Sequence, residues 1–324
     1  MHDISFYRSE FLAHLEKKVI AKEPVGLYDP ILYILNLGGK RLRPVMVLLS
    51  AELFGTPYKK ALDAALAIEV FHNFSLVHDD IMDDAPLRRG QETVHEKWNV
   101  NTAILSGDAM LINAYQLFEN YAGDTFKQMA KLFTRTAIEV CEGQQYDVDF
   151  ETRDDVSIEE YIKMIRYKTA VLVGASLEMG AIVADVSDAC KEQIYEFGCL
   201  LGIAFQLQDD FLDAFGDPKK FGKQVGGDII ENKKTFLYLK AIEQSSVGEA
   251  RQLEHLYTIA PRDASQKIET VKNIFELSGA AKSTQIEIER YTEKAFKMLE
   301  QMNIQEEKKQ LLKDFGNSLM TRKV

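Results

Sequence analysis

Two aspartate clusters of the same form carry the most chemistry in this chain. They are HDDIMDD at residues 78–84 and QDDFLDA at residues 208–214, and each follows a long apolar run. Residues four apart on a helix share one face, about 6 Å from each other. The spacing therefore predicts three close carboxylate pairs: Asp79 with Asp83, Asp80 with Asp84, and Asp209 with Asp213.

Such pairs need a compensating cation. Like charges four residues apart destabilise a helix by roughly 0.2–0.5 kcal/mol per pair. Mg²⁺ typically uses one or two carboxylates together with waters and the phosphate oxygens of a substrate. Two clusters of this kind predict a diphosphate held between them by metal ions, whereas a single cluster in an acidic protein could equally be a solvated face.

Two basic segments could bind anions. The first, GGKRLRP at residues 38–44, places three cationic side chains directly after two glycines, whose backbone N–H groups can approach a phosphate. The second, LRRG at residues 87–90, contains Arg88 and Arg89, which cannot point the same way on a regular backbone. Each arginine could serve a different anion, or pair with Asp83 or Asp84.

A third segment, residues 215–235, contains five lysines and four glycines and predicts a mobile loop that grasps phosphate. His72 and His78 lie within seven residues of Asp79, and their spacing leaves a functional role open. The pair His95-Glu96 lacks the second histidine of a zinc-protease helix.

The elements that position these residues are predicted to be helices. No proline lies between Pro86 and Pro218, and this stretch is rich in strong helix formers. Apolar residues of 157–182 recur at helical spacing, and Ser157 with Glu160 fits a capping box at the start. Strand signals are scarce. We therefore expect an all-α fold, with residues 1–324 forming one domain.

The composition and charge of the chain argue against several classes of function and location. The net charge of −11 argues against a nucleic-acid partner, which would need a basic face. No apolar run reaches the 18 or so residues of a membrane span, and the N-terminus lacks the apolar stretch of a signal peptide. The cysteines are odd in number and without CxxC spacing, so a reduced cytoplasm is the expected location.

In their order along the chain, these motifs resemble those of the trans-isoprenyl diphosphate synthases, which include farnesyl and geranylgeranyl diphosphate synthases. The matching segments are GGKRLRP (38–44), LVHDDIMDDAPLRRG (76–90), ILSGDAML (104–111), GQ (143–144), KTA (168–170), FQLQDDFLD (205–213) and GKQVGGDIIENKKT (222–235). The resemblance implies an all-α bundle around a central cavity, the two clusters facing across it, and a homodimer.

The resemblance also implies roles for matching residues. Mg²⁺, three ions per active site, would be held by Asp79, Asp80, Asp83, Asp209, Asp210 and Asp213, with the outer acids as the direct ligands. The allylic diphosphate would be held by Arg88, Lys168, Thr169, Gln206, Lys223 and Lys233. Isopentenyl diphosphate would be held by Lys40, Arg43, His72 and Arg89.

The implied reaction is the head-to-tail condensation of isopentenyl diphosphate with an allylic diphosphate. Chain length would depend on the residues below Asp79 on the same helix. At about 1.5 Å per residue, Ser75, Phe74 and Phe71 lie about 6, 7.5 and 12 Å away. An aromatic residue at position 74 and the uninserted DDIMD motif predict a C15–C20 product, leaning to C20, although Phe74 could simply pack the core.

Other readings remain open. The protein could be a farnesyl diphosphate synthase, or a regulatory subunit of a hetero-oligomeric synthase that has lost catalysis. Damaged acid motifs would mark such a subunit, and both motifs are intact. A class I terpene cyclase is disfavoured because it usually carries an Asn/Ser/Glu-type second motif and needs no second diphosphate site.

Overall fold

The computed structural model describes residues 2–216 and 226–320, and over these ranges the chain is helical apart from one short hairpin. The all-α prediction is confirmed. Contacts group the chain into two compact units, Met1–Arg135 with Ala175–Glu192 and Thr136–Gly174 with Gln193–Val324. A single domain spanning residues 1–324 stays a prediction.

The helices begin and end as follows. Those of the first half are α1 (Ile4–Lys18), α2 (Val25–Asn36), α3 (Leu42–Leu53), α4 (Leu62–Met82), α5 (Val94–Lys97), α6 (Val100–Gln116) and α7 (Gly123–Thr152). Those that follow are α8 (Ile158–Ile165), α9 (Val171–Val183), α10 (Asp188–Phe215), α11 (Gly227–Ile230), α12 (Phe236–Gln244), α13 (Val247–Leu256), α14 (Ser265–Leu277), α15 (Ala280–Gln301) and α16 (Glu306–Met320). Within the described ranges, none of these helices combines the length and the apolar character that crossing a membrane requires.

Helix α4 carries the first aspartate cluster and is buried along most of its length, as its apolar run predicts. It ends at Met82 because Asp83 caps it and Asp84 turns into the left-handed region at φ +47°. Asp84 therefore leaves the helix. The predicted helical pair of Asp80 with Asp84 is wrong, whereas Asp79 and Asp83 keep their spacing, with Asp83 N donating to Asp79 O at 2.9 Å.

The segment 157–182 is helical as predicted, and the capping box of Ser157 and Glu160 is present. One π-turn, Arg166–Ala170, interrupts the α-helical pattern. It lies directly against α7, where a Cβ on Gly143 would be only 2.2 Å from the backbone nitrogen of Lys168. A π-turn changes the direction of side chains within a helix and is frequent at functional sites.

A hairpin of two-residue strands, β1 (Leu87–Arg88) and β2 (Gln91–Glu92), was not predicted. Its turn is Arg89-Gly90, and both residues have positive φ, 55° and 76°, as a type I′ turn requires. The strands are too short to show an alternating pattern in the sequence. The hairpin separates the two arginines, because Arg88 lies on β1 whereas Arg89 lies in the turn at positive φ.

A buried ion pair anchors the glycine-rich segment to α4. Arg41, at φ +54°, is 5% exposed, and its guanidinium pairs with Glu69, which is 2% exposed, while also donating to the carbonyl of Leu35. Asn73 Nδ2 donates to the same Glu69 carboxylate at 3.1 Å. Arg41 is therefore a structural residue that holds the flanking Lys40 and Arg43 in place.

We expect Arg41→Met to destabilise the protein by about 3–5 kcal/mol, because it leaves the Glu69 carboxylate buried without its cation. The double substitution Arg41→Met/Glu69→Met should cost less than Arg41→Met alone, since it removes both charges. Urea unfolding at pH 7 measures these differences.

The matched control is Lys313→Met, which breaks an ion pair with Glu300 whose lysine and glutamate side chains are 28% and 50% exposed. Exposed pairs contribute about 0–1 kcal/mol. If Arg41→Met cost no more than this control, the anchoring role of Arg41 would be refuted.

Candidate functional site

The first aspartate cluster has one deeply buried member. Asp80 is 1% exposed and accepts hydrogen bonds from Arg88 Nε at 2.8 Å and Arg88 Nη2 at 2.6 Å. Burial raises the pKa of the Asp80 carboxyl, against the opposing effect of Arg88. Asp79 is partly buried, 3.8 Å from Arg88, and Asp83 is exposed. The inner acid is thus held by the protein, and the outer acids lie nearer the surface.

The arginine pair diverges as the sequence suggested, but with different partners. Arg88 pairs with Asp80 and approaches Asp79, rather than pairing with Asp83 or Asp84. Arg89 donates to the carbonyl of Gly38. Gly39 lies at φ +118°, which favours glycine, and a Cβ there would lie 2.9 Å from the Arg89 guanidinium and force it to move.

Three residues predicted to hold isopentenyl diphosphate lie near one another. Arg43 Nη1 is 3.3 Å from His72 Nε2, and Arg89 contacts the glycine segment that precedes Lys40. Burial lowers the pKa of His72 well below its ordinary value, and Arg43 and Arg89 lower it further. His72 is therefore neutral and can accept a hydrogen bond from Arg43, while the exposed Lys40 is open to solvent.

The residues predicted to set chain length lie on α4 as the helical spacing requires. Phe74 packs against Phe71, with ring centroids 5.6 Å apart, and against His78 at 4.8 Å. The Ser75 hydroxyl donates to the carbonyl of His72 at 2.8 Å. His78 itself packs on α6, with Nε2 3.2 Å from the carbonyl of Ile104, and this contact accounts for it structurally.

The second aspartate cluster lies near the end of α10, and here too the inner acid is buried. Asp210 is 6% exposed; Tyr161 donates to its Oδ2, and Gln206 Nε2 donates to its Oδ1 at 2.9 Å. Thr169 Oγ1 donates to Gln206 Oε1 at 3.0 Å. These bonds join three predicted site residues, Thr169, Gln206 and Asp210, into one network. Burial still raises the pKa of Asp210.

A cavity of about 120 Å³ opens beside this network. Its lining comprises Asp147, Phe150, Glu151, Tyr161, Met164, Ile165, Lys168, Thr169, Gln206, Asp210, Asp228, Asn232, Lys233, Lys234 and Thr235. Lys168 Nζ lies 2.6 Å from Asp147, and Lys233 Nζ lies 3.1 Å from Glu231. Apolar, cationic and carboxylate groups therefore line the same space. The predicted residue Lys223 lies outside the described residues, as do residues 217–225 of the predicted phosphate-binding loop.

Sequence reasoning missed several members of this site. Tyr161 is one of the residues of 157–182 that recur at helical spacing, and this pattern does not indicate that its hydroxyl donates to Asp210. Asp228 lies in the matching segment GGDIIENKKT without an assigned role; its backbone N–H donates to Asp213 Oδ2 at 3.0 Å. Lys234 lies in the same matching segment, also without an assigned role, whereas Asp147 follows no recognisable motif. Asp228 and Lys234, in a glycine-rich segment that matched the family, therefore gave a usable signal.

The second cluster fits a divalent cation. Burial raises the pKa of Asp228 well above its ordinary value, and the negative charges of Asp210 and Asp213 raise it further. The charges of Asp209 and Asp213 act in the same direction on Asp210. Carboxylates whose negative charges disfavour one another are stabilised by a hard cation that takes oxygen ligands.

Comparisons with known proteins identify the family to which this chain belongs. The family model described as polyprenyl synthetase matches residues 24–277. The geranylgeranyl pyrophosphate synthase of Geoglobus acetivorans is 43% identical over 232 residues, covering 71% of this chain and 72% of that protein.

Two solved structures show the same fold. The crystal structure of a geranylgeranyl pyrophosphate synthase is 58% identical, with a TM-score of 0.96 and full coverage of both chains. The polyprenyl synthase of Caulobacter crescentus, crystallised with calcium and isoprenyl diphosphate, is 27% identical with a TM-score of 0.88, covering 99% of this chain and 97% of that one. This chain belongs to the polyprenyl synthetase family, and it is a prenyltransferase.

Proposed function

We propose that the protein condenses isopentenyl diphosphate with an allylic diphosphate in an Mg²⁺-dependent, head-to-tail reaction, and that its main product is the all-trans C20 diphosphate. One observation carries the reaction: each DDxxD motif has a buried, hydrogen-bonded inner aspartate, Asp80 or Asp210, and less buried outer aspartates. This arrangement supports outer acids as metal ligands and inner acids as fixed supports. The 58% identical geranylgeranyl pyrophosphate synthase supports the product length.

The metal ligands in this proposal are Asp79 and Asp83 of the first motif and Asp209 and Asp213 of the second, with three ions per active site. Bound Mg²⁺ supplies Lewis-acid and electrostatic stabilisation of the departing diphosphate. A relative crystallised with calcium and isoprenyl diphosphate supports a divalent-ion site.

The cationic side chains would bind the two substrates separately. Lys168 and Lys233 line the cavity of the second unit and would hold the allylic diphosphate together with Arg88 and Lys223. Arg43, Arg89 and Lys40 would hold isopentenyl diphosphate, with neutral His72 orienting Arg43. Neutral His72 adds no charge to this arginine-rich cluster, so it can accept from Arg43 without repelling it.

The proposed reaction involves the following bond changes. The C1–O bond of the allylic diphosphate breaks, and the double bond of isopentenyl diphosphate attacks C1 to form the new carbon–carbon bond. Apolar neighbours of the site such as Phe150 and Ile165 limit capture of the allylic cation by water. The released diphosphate takes a proton from C2 of the former isopentenyl unit, whose C–H electron pair forms the new C2=C3 double bond, so no side-chain base is required.

We also propose a homodimer that pairs through α6. Leu105 is 60% exposed and Ile112 is 62% exposed, and seven residues separate them, so they share one face of the helix. Ile104 adds a third exposed apolar side chain beside them. A face of this kind is typical of a protein interface.

We further propose a cytoplasmic location, which the cysteine pattern supports.

The product assay uses purified protein with Mg²⁺, labelled isopentenyl diphosphate and dimethylallyl, geranyl or farnesyl diphosphate. Wild type should give mainly C20 alcohol after dephosphorylation. Phe74→Ala should lengthen the product by at least one C5 unit, because it removes the aromatic ring packed against Phe71.

The control for this assay is Phe126→Ala, which truncates a phenylalanine that is 40% exposed and should leave the product unchanged. A main product of C15 in wild type would mean that the residues that stop chain growth lie nearer Asp79. A C20 product in wild type with the same product distribution in Phe74→Ala would exclude Phe74 as a residue that stops chain growth. No isopentenyl incorporation by folded protein would overturn the proposed reaction.

The raised pKa of Asp210 predicts a pH-dependent stability. The folded protein holds this proton more tightly than the unfolded chain, so the free energy of unfolding falls as pH rises from the ordinary aspartate pKa towards the raised one. Above the raised pKa the destabilisation is complete. Metal-free Asp210→Asn should therefore have a higher melting temperature than wild type at pH 8, by roughly 2–4 °C for each kcal/mol of destabilisation that the substitution removes. Added Mg²⁺ should raise the melting temperature of the variant less than that of wild type.

Differential scanning calorimetry with and without Mg²⁺ measures this effect, and the difference between the proteins should shrink as pH is lowered from 8 towards 5. Asp314→Asn is the control, because Asp314 is exposed and its replacement should stay within about 0.5 kcal/mol of wild type. A lower melting temperature for metal-free Asp210→Asn at pH 8 would contradict the expected destabilisation by the buried carboxylate.

The dimer is tested with Leu105→Glu/Ile112→Glu, which places charges on the exposed face of α6. Light scattering after gel filtration should show a dimer for wild type and a monomer for the variant. Leu277→Glu is the control, since Leu277 is 69% exposed but lies on α14. A wild-type monomer, or a variant that remains dimeric, would remove α6 from the interface.

A further inference from the structure

The histidine of α5 has no role in the proposed reaction, yet it is unusual. His95 is 7% exposed, and among the described residues neither ring nitrogen has a hydrogen-bond partner. Buried polar groups are normally hydrogen-bonded, and each exception needs an explanation. The neighbouring Thr93 Oγ1, which precedes the same helix, is also buried without a hydrogen-bond partner.

Two carboxylates lie beside this imidazole. Asp84, His95 and Glu96 each offer a ligand atom, and these atoms all lie within 4.8 Å of one another. His95 Nε2 is 3.7 Å from Glu96 Oε1, too far for a hydrogen bond. Asp84 and Glu96 are exposed, so an ion could reach the group from solvent.

We propose that Asp84, His95 and Glu96 form a site for a divalent transition-metal ion such as Zn²⁺, separate from the Mg²⁺ ligands of the aspartate motifs. Zn²⁺ binds imidazole nitrogen and carboxylate oxygen at about 2.0–2.2 Å, so small side-chain rotations would bring the three ligand atoms around one ion. An open fourth position would be filled by water.

The ligand chemistry distinguishes this site from the diphosphate sites. Imidazole suits Zn²⁺, Cu²⁺, Fe²⁺ and Ni²⁺, whereas Mg²⁺ takes oxygen ligands and keeps several waters. The aspartate motifs offer carboxylates alone, so excess Mg²⁺ competes there far better than at His95.

The position of the site gives the ion a structural consequence. Asp84 follows the end of α4, and His95 and Glu96 lie in α5; the segment between them contains the hairpin with Arg88 and Arg89. The backbone of this segment is closed by Thr93 N donating to the carbonyl of Pro86 at 3.2 Å. An ion bound to both ends would restrain the hairpin and the two arginines.

The test is a calorimetric titration of the full-length protein with Zn²⁺ in an excess of Mg²⁺. Wild type should bind one tight equivalent per chain. His95→Gln should weaken this affinity at least about 100-fold, more than loss of an outer-shell partner costs, and Glu96→Gln about tenfold. Glu119→Gln, a substitution of an exposed acid outside the site, should bind as wild type does.

Two further readouts locate the ion. Co²⁺ in place of Zn²⁺ should give visible absorption bands that His95→Gln abolishes, and Zn²⁺ should slow amide hydrogen exchange in residues 85–93.

If His95→Gln does not fold, the Zn²⁺ affinity of Glu96→Gln tests the site instead, because the Glu96 side chain is 49% exposed. Absence of a tightly bound Zn²⁺ equivalent in wild type would overturn the site. A Zn²⁺ affinity equal to that of wild type in both His95→Gln and Glu96→Gln would also overturn it. None of these measurements depends on prenyl transfer, so the proposed function can fail without affecting them.

Discussion

The burial of one carboxylate in each aspartate motif is the constraint on which much of the surrounding structure depends. A buried carboxylate needs donors or a cation, because its charge is poorly solvated away from water. Asp80 obtains them from Arg88 on the hairpin, and Asp210 from Tyr161 and Gln206. The hairpin and the packing of α8 beside α10 can therefore be understood as the structures that bring these donors to the two acids.

The helical framework could be predicted because it depends on local patterns. Apolar spacing identified the buried helices, and the capping box at Ser157 was read directly from two residues. The aspartate pairs on α4 and α10 followed from the 3.6-residue period, since both partners lie on one helix. The predicted pair of Asp80 with Asp84 was wrong, because Asp84 itself adopts left-handed backbone at the end of the helix and redirects the chain.

The contacts that support the site were not predictable in the same way. Tyr161 lies 49 residues from Asp210, and Arg89 lies 51 residues from Gly38. No local pattern specifies such pairings. Gly39 and Gly143 show the same limit: the sequence shows a glycine, but only the structure shows the positive φ of Gly39 and the backbone of Lys168 against Gly143, which exclude a side chain.

The overall charge of −11 disfavours the binding of two diphosphates, yet the local distribution of charge differs from the overall one. Arg41 is neutralised by buried Glu69 and Arg88 by Asp80, so these two arginines contribute little net positive charge. Arg43 and Arg89 lie beside a neutral histidine instead, which leaves their region cationic. Among the described residues, the cavity of the second unit is lined by more carboxylates than cations, and burial, followed by neighbouring negative charges, raises the pKa values of Asp210 and Asp228. An anion is therefore expected there only together with divalent ions, whereas the Arg43 region can bind one directly.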